Sequence, residues 1–147
     1  MKKLLKSLLA VMLIAMMALS FTSCGVARTP EKAEKKLEKA GYTVETTDDE
    51  ATRTMVAEMY GLKAEDIEVL LTASKGDEYV SIIYCTNAKA AKKIAKELKK
   101  EMKEAKEAAE KLSGTLKEEA EKELKNTKYG RSGKAVYTGT KAGVKAA

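Results

Sequence analysis

The stretch from Ile67 to Cys85 constrains the fold more than any other part of this chain. Two alternating runs meet there at Gly76-Asp77, a dipeptide suited to a two-residue hairpin turn with glycine first. That turn sets Lys75 opposite Glu78, an opposite-charge match beside the loop. It also sets Ala73 opposite Val80, Leu71 opposite Ile82 and Val69 opposite Tyr84, all on one face. The other face receives Leu70, Thr72, Ser74, Tyr79, Ser81, Ile83 and Cys85, a mixed set. Slipping the register by one residue would exchange the faces, so the pattern specifies the buried side. Helices are expected to cover the apolar one.

The flanking sequence supplies them. Thr29-Pro30 opens a helix, with threonine as N-cap and proline at a position whose missing N–H costs nothing. Tyr42 to Thr46 reads as a short strand. Thr47 to Glu50 reads as a capping box for a second helix, with Ala51, Met55, Val56 and Met59 on one side. Asn87 caps a third. Its apolar stripe of Ala91, Ile94, Ala95, Leu98, Met102, Ala105, Ala109 and Leu112 has helical spacing and continues through Leu116, Ala120 and Leu124. A straight helix over 88–126 would be roughly 60 Å long, about twice the width of so small a domain. Ser113-Gly114 is therefore expected to break it, with Thr115 to Glu118 as a further capping box. Lys134 to Thr138 reads as a last strand, hairpinned to 128–131 through Ser132-Gly133, and Thr140 caps a terminal helical turn. The expected fold class is α+β: a mostly antiparallel sheet of about four strands covered on one face by helices. Its βαββαβ order resembles the ferredoxin-like arrangement.

Ahead of the domain lies a segment of another kind. Lys2, Lys3 and Lys6 precede an unbroken apolar run from Leu8 to Leu19, and Phe21-Thr22-Ser23-Cys24-Gly25 follows at once. A helix over that run would be roughly 18 Å long, short of the roughly 30 Å hydrocarbon core. It reads as an export signal that is removed. Phe21 to Cys24 resembles the lipobox of bacterial prolipoproteins: Thr22, Ser23 and Cys24 match its pattern, and Phe21 stands where that family usually has Leu. The rest of the chain is similar to many small bacterial lipoproteins. The resemblance implies cleavage before Cys24 and lipid attached to its sulfur. It divides the chain into a signal peptide (1–23), a lipidated tether (24–29) and one domain (30–147). It also implies a place at the cell membrane or outer envelope, facing out of the cytoplasm. The rival site is after Ser20, since Ala18-Leu19-Ser20 satisfies the small-x-small rule.

Removal of the leader lowers the formal charge from +6 to about +3. That is too little to argue for nucleic acid. The remaining charge is uneven, because Lys125, Lys128, Arg131, Lys134, Lys141 and Lys145 follow Glu123 with no acid among them. Possible partners are the membrane through the lipid on Cys24, another envelope protein, or an anionic wall polymer. A lipidated Cys24 leaves Cys85 without an intrachain disulfide partner.

Little catalytic chemistry is legible. Histidine is absent, and Cys24 with Cys85 makes no zinc set. Asp48-Asp49-Glu50 lacks the spacing of a calcium loop. Gly130-Arg131-Ser132-Gly133-Lys134 is too short for a phosphate loop and runs into a strand. No cofactor or metal is expected, and no catalytic residue is assigned. The reading is a lipid-anchored binding or structural module. Cys24 is its lipidation site, and Thr72, Ser74, Tyr79, Ser81, Ile83 and Cys85 form its candidate binding face. The alternative is a thiol-dependent enzyme or redox protein using Cys85, whose thiolate would need a base or the nearby helix N-terminus.

Overall fold

The Ile67–Cys85 hairpin forms in the register its alternation dictates, with Lys75 opposite Glu78, Ala73 opposite Val80, Leu71 opposite Ile82 and Val69 opposite Tyr84. The structure, a computed structural model, describes residues 25–147; the segment expected to be an export signal, and the expected lipidation site Cys24, lie outside them. In chain order the elements are α1 (Pro30–Lys39), β1 (Thr43–Thr47), α2 (Glu50–Met59), a 3-10 turn (Ala64–Asp66), β2 (Ile67–Lys75), β3 (Glu78–Cys85), α3 (Ala88–Glu110), α4 (Thr115–Asn126), β4 (Thr127–Ser132), β5 (Ala135–Thr140) and α5 (Lys141–Ala146).

The fold is α+β. Its sheet has five strands in the order β1-β2-β3-β5-β4, every neighbouring pair antiparallel. Both strands of the terminal hairpin join it, which takes the count past the expected four. The arrangement also departs from the ferredoxin-like one. There, a helix crosses between parallel strands separated by another. Here β1 and β2 are direct antiparallel neighbours, Thr43 opposite Ser74, and α2 merely spans the link between them.

Helices pack on both faces rather than one. Against the first face lie α1 and α5, where Ala33, Leu37 and Val144 close over Leu71, Val80, Ile82, Tyr84 and Ala135. Against the second lie α2 and α3, where Val56, Ala57, Tyr60, Ala91, Ile94 and Leu98 close over Ile67, Cys85 and Val136. A register shift between Ile67 and Val69 turns Ile67 toward this second side. The "mixed" face of the hairpin therefore has an apolar end, and that end attracts the extra helices.

Three local readings change. Thr47 remains in β1 opposite Leu70, and Asp49 caps α2 instead, its carboxylate accepting from the Thr52 N–H at 2.9 Å. Val56, Ala57 and Tyr60 make the buried side of α2, while Met55 and Met59 point to solvent. The break at Gly114 is present, but Gly114 itself precedes the first turn of α4, with no side-chain cap. Asn87 and Thr140 cap as expected, accepting from Ala90 N–H at 2.8 Å and Gly143 N–H at 3.2 Å.

The break folds the long helical stretch back on itself. Met102, Ala105 and Ala109 of α3 bury against Ala120 and Leu124 of α4 in a third apolar cluster. The outer half of α3 is thereby covered, and the chain returns to the sheet edge as β4.

Candidate functional site

The second sheet face is only partly covered, leaving a trough that holds two separate openings, one toward each end. One end is an open hollow of about 150 Å³, whose floor is Leu70, Ser81 and Ile83 and whose walls are Val56 and Met59 of α2, Tyr60 just after it, and Leu98 of α3. Met59 is 69 % exposed, so the rim on the α2 side is apolar and open to solvent. The other end is a wider cleft of about 790 Å³ between the hairpin tip, Ser74 to Tyr79, and the α4 residues Glu119, Lys122, Glu123 and Asn126.

The candidate face read from the sequence is distributed along this trough. Ser81 and Ile83 lie in the hollow, and Ser74 and Tyr79 in the cleft. Thr72 is exposed between them, directly opposite Ser81. Cys85 is apart from the rest, fully buried under α3 with Ile67, Ala91 and Ile94. The walls were not legible: Met59, Tyr60 and Leu98 come from two helices whose placement over the sheet is set by tertiary packing.

Electrostatics divide the trough from the buried thiol. Burial pushes the Cys85 thiol up to about 11, with Asp66 and Glu68 adding to the rise. A thiol so shifted is protonated at neutral pH and a poor nucleophile. In the wall, burial lifts the Tyr60 phenol to about 12, assisted by the charge of Glu101. Glu101 is itself raised by burial and then by its helical neighbours Glu97 and Glu104. Tyr79, in the cleft, is raised chiefly by burial. Among the described residues, no three His, Cys, Asp or Glu side chains are grouped as a metal ion would need.

A second feature lies at the start of the described residues, ahead of α1. Residues read as a tether are docked: Val26 is 2 % exposed within the core of the first face. The Ala27 N–H donates to the Ala147 carbonyl oxygen at 3.1 Å, and the Ala27 carbonyl accepts from the Tyr84 hydroxyl at 2.9 Å. Tyr84 also reaches the Thr29 carbonyl at 3.3 Å. Gly25 sits so close to Ser132 that a β-carbon there would lie 2.9 Å from the serine Cβ. A four-residue stretch has no periodicity from which this docking could be read.

Comparison with protein-family models, with curated proteins and with solved structures gives no match. The functional reading therefore rests on the residues themselves.

Proposed function

We propose that the protein is a lipid-anchored envelope lipoprotein whose domain is a non-catalytic binding module, with the trough on its second sheet face as the binding surface. One observation carries the binding role: exposed Met59 makes an apolar rim beside Leu70 and Ile83, with Ser81 in the same hollow and Thr72 opposite it offering hydroxyls. Methionine is unbranched and polarisable, and suits a surface that must adapt to a partner. The anchoring role is supported by the placement of Cys24 directly after the apolar leader run.

The thiol reading has less support. Cys85 is closed off from solvent and shifted upward, with no imidazole in the chain to deprotonate it. Photo-cross-linking in the native envelope tests the binding role. A cross-linker at Met59 gives a discrete adduct, and one at Lys35, on the outer side of α1, does not. Equal, diffuse labelling from both positions would contradict the proposal.

A further inference from the structure

We propose that the anchored domain lies directly against anionic headgroups, on the edge formed by Gly25, the β4–β5 turn and the cations around them. This inference rests on the lipid-anchor reading and adds a surface and a ligand chemistry to it.

The first observation is the absence of slack after the anchor. Gly25 packs on Ser132, Val26 is in the core, and Ala27 is bonded through both its N–H and its carbonyl. Cys24 is the next residue, and one trans peptide step is about 3.8 Å. A lipid on its sulfur would therefore bring the Gly25–Ser132 edge to the headgroup layer, with no flexible spacer to hold it off.

The second observation is the charge on that edge. Arg131 and Lys134 flank Ser132, and both are exposed. The Arg131 guanidinium donates to the Gly133 carbonyl at 2.7 Å, which holds it at the turn. Arg28 follows the docked segment directly, and Lys145 lies two residues before Ala147, the partner of Ala27; both are exposed. Glu31, in the first turn of α1, and Glu68 of β2 are acids near this cluster, both with their charge acting on Tyr84. Headgroup attraction falls off within a Debye length, roughly 8 to 10 Å in physiological salt. A docked anchor keeps these side chains inside that range, whereas a long tether would not. The opposite end of the sheet lies roughly 25 Å away along the strands and is of mixed charge, with Lys75 opposite Glu78 beside Asp77 and with Lys141 following β5.

The test uses the acylated full-length protein, its lipid verified by mass, in vesicles of phosphatidylcholine with about one-third phosphatidylglycerol. A fluorophore is placed at Lys134→Cys or, in a second protein, at Asp77→Cys, and quenched by a headgroup nitroxide lipid. Cys85 is buried and stays unlabelled in the folded state. Quenching at position 134 is expected to exceed that at 77 by several-fold. The ratio is expected to fall toward one in phosphatidylcholine alone, in 1 M salt, and in the Arg28→Glu/Arg131→Glu/Lys145→Glu variant. The lipid and salt arms need no substituted cation beyond the label site, so they stand even if that variant folds poorly. Equal quenching of both labels in anionic vesicles would overturn the docking while leaving the anchor intact. So would a ratio that ignores lipid charge and salt. A native protein without acyl chains would overturn both.

Discussion

The Tyr84 hydroxyl donates to the Ala27 carbonyl oxygen at 2.9 Å, tying the middle of the sheet to the segment that precedes α1. It converts what reads as a spacer into part of the folded domain. Tyr84 is 2 % exposed and its phenol is raised by burial, so the hydroxyl is protonated, a donor, and shielded from competing water. Removing it leaves the Ala27 carbonyl without this partner. Tyr84→Phe is expected to lower stability by about 1 kcal/mol. Amide exchange at Ala27 should rise more than exchange in β3, because the docked segment loosens before the sheet does. Urea denaturation and hydrogen exchange followed by NMR measure the two effects.

Cys85 makes stability depend on alkaline pH in a defined direction. Its folded-state pKa is raised from 9.0 to about 11, so the folded chain holds the thiol proton more tightly than the unfolded one. The associated stability is fully present below the ordinary thiol pKa and is lost as pH rises through about 11. The full loss amounts to about 3 kcal/mol. Tyr42 and Tyr60, also raised, add their own losses at higher pH. The urea midpoint of the Cys85→Ala variant is therefore expected to change less between pH 9 and 11 than that of the parent. The same burial predicts slow alkylation of the folded protein at neutral pH.

Two glycines hold the C-terminal helix close to the sheet. A β-carbon on Gly139 would lie 2.4 Å from the Tyr79 carbonyl oxygen, and one on Gly143 would lie 2.3 Å from the same atom. Backbone cannot give way cheaply, so Gly139→Ala and Gly143→Ala are each expected to cost about 3 kcal/mol. Gly114→Ala meets nothing within 4 Å, and its cost comes from φ of +64° instead. About 1 to 2 kcal/mol is expected there. Thermal melts of the three variants separate the close approach from the backbone strain.

The trough rim and the core should respond in opposite ways to truncation. Met59→Ser is expected to change stability by less than about 0.5 kcal/mol, because the side chain is mostly in solvent. Ile94→Ala, fully buried between α3 and the sheet, is expected to cost about 3 kcal/mol. A large loss from Met59→Ser, measured by urea denaturation, would mean that the rim belongs to the core and is not a surface for a partner.

Where sequence and structure agree, short-range chemistry decides. The turn at Gly76-Asp77 fixes its own register, Asn87 satisfies the N–H of Ala90, and Gly114 interrupts a stripe that alone would run on. Where they differ, the outcome depends on partners distant in the chain. The α2 stripe turns toward Val56 and Tyr60 because the apolar end of the second sheet face lies beneath them. The strand order depends on β5 choosing the edge of β3, with Val80 opposite Gly139, and no local signal in either strand announces that choice. The candidate face was legible as a set of alternating residues. Its division into hollow, cleft and buried thiol was not, since the helices that divide it come from elsewhere in the sequence.

The attachment of the docked N-terminal edge to a membrane is tested most directly by the intact mass of the protein extracted from its native envelope. The expected chain begins at Cys24 and carries the added mass of acyl chains. An unmodified chain beginning at Phe21 would contradict the account.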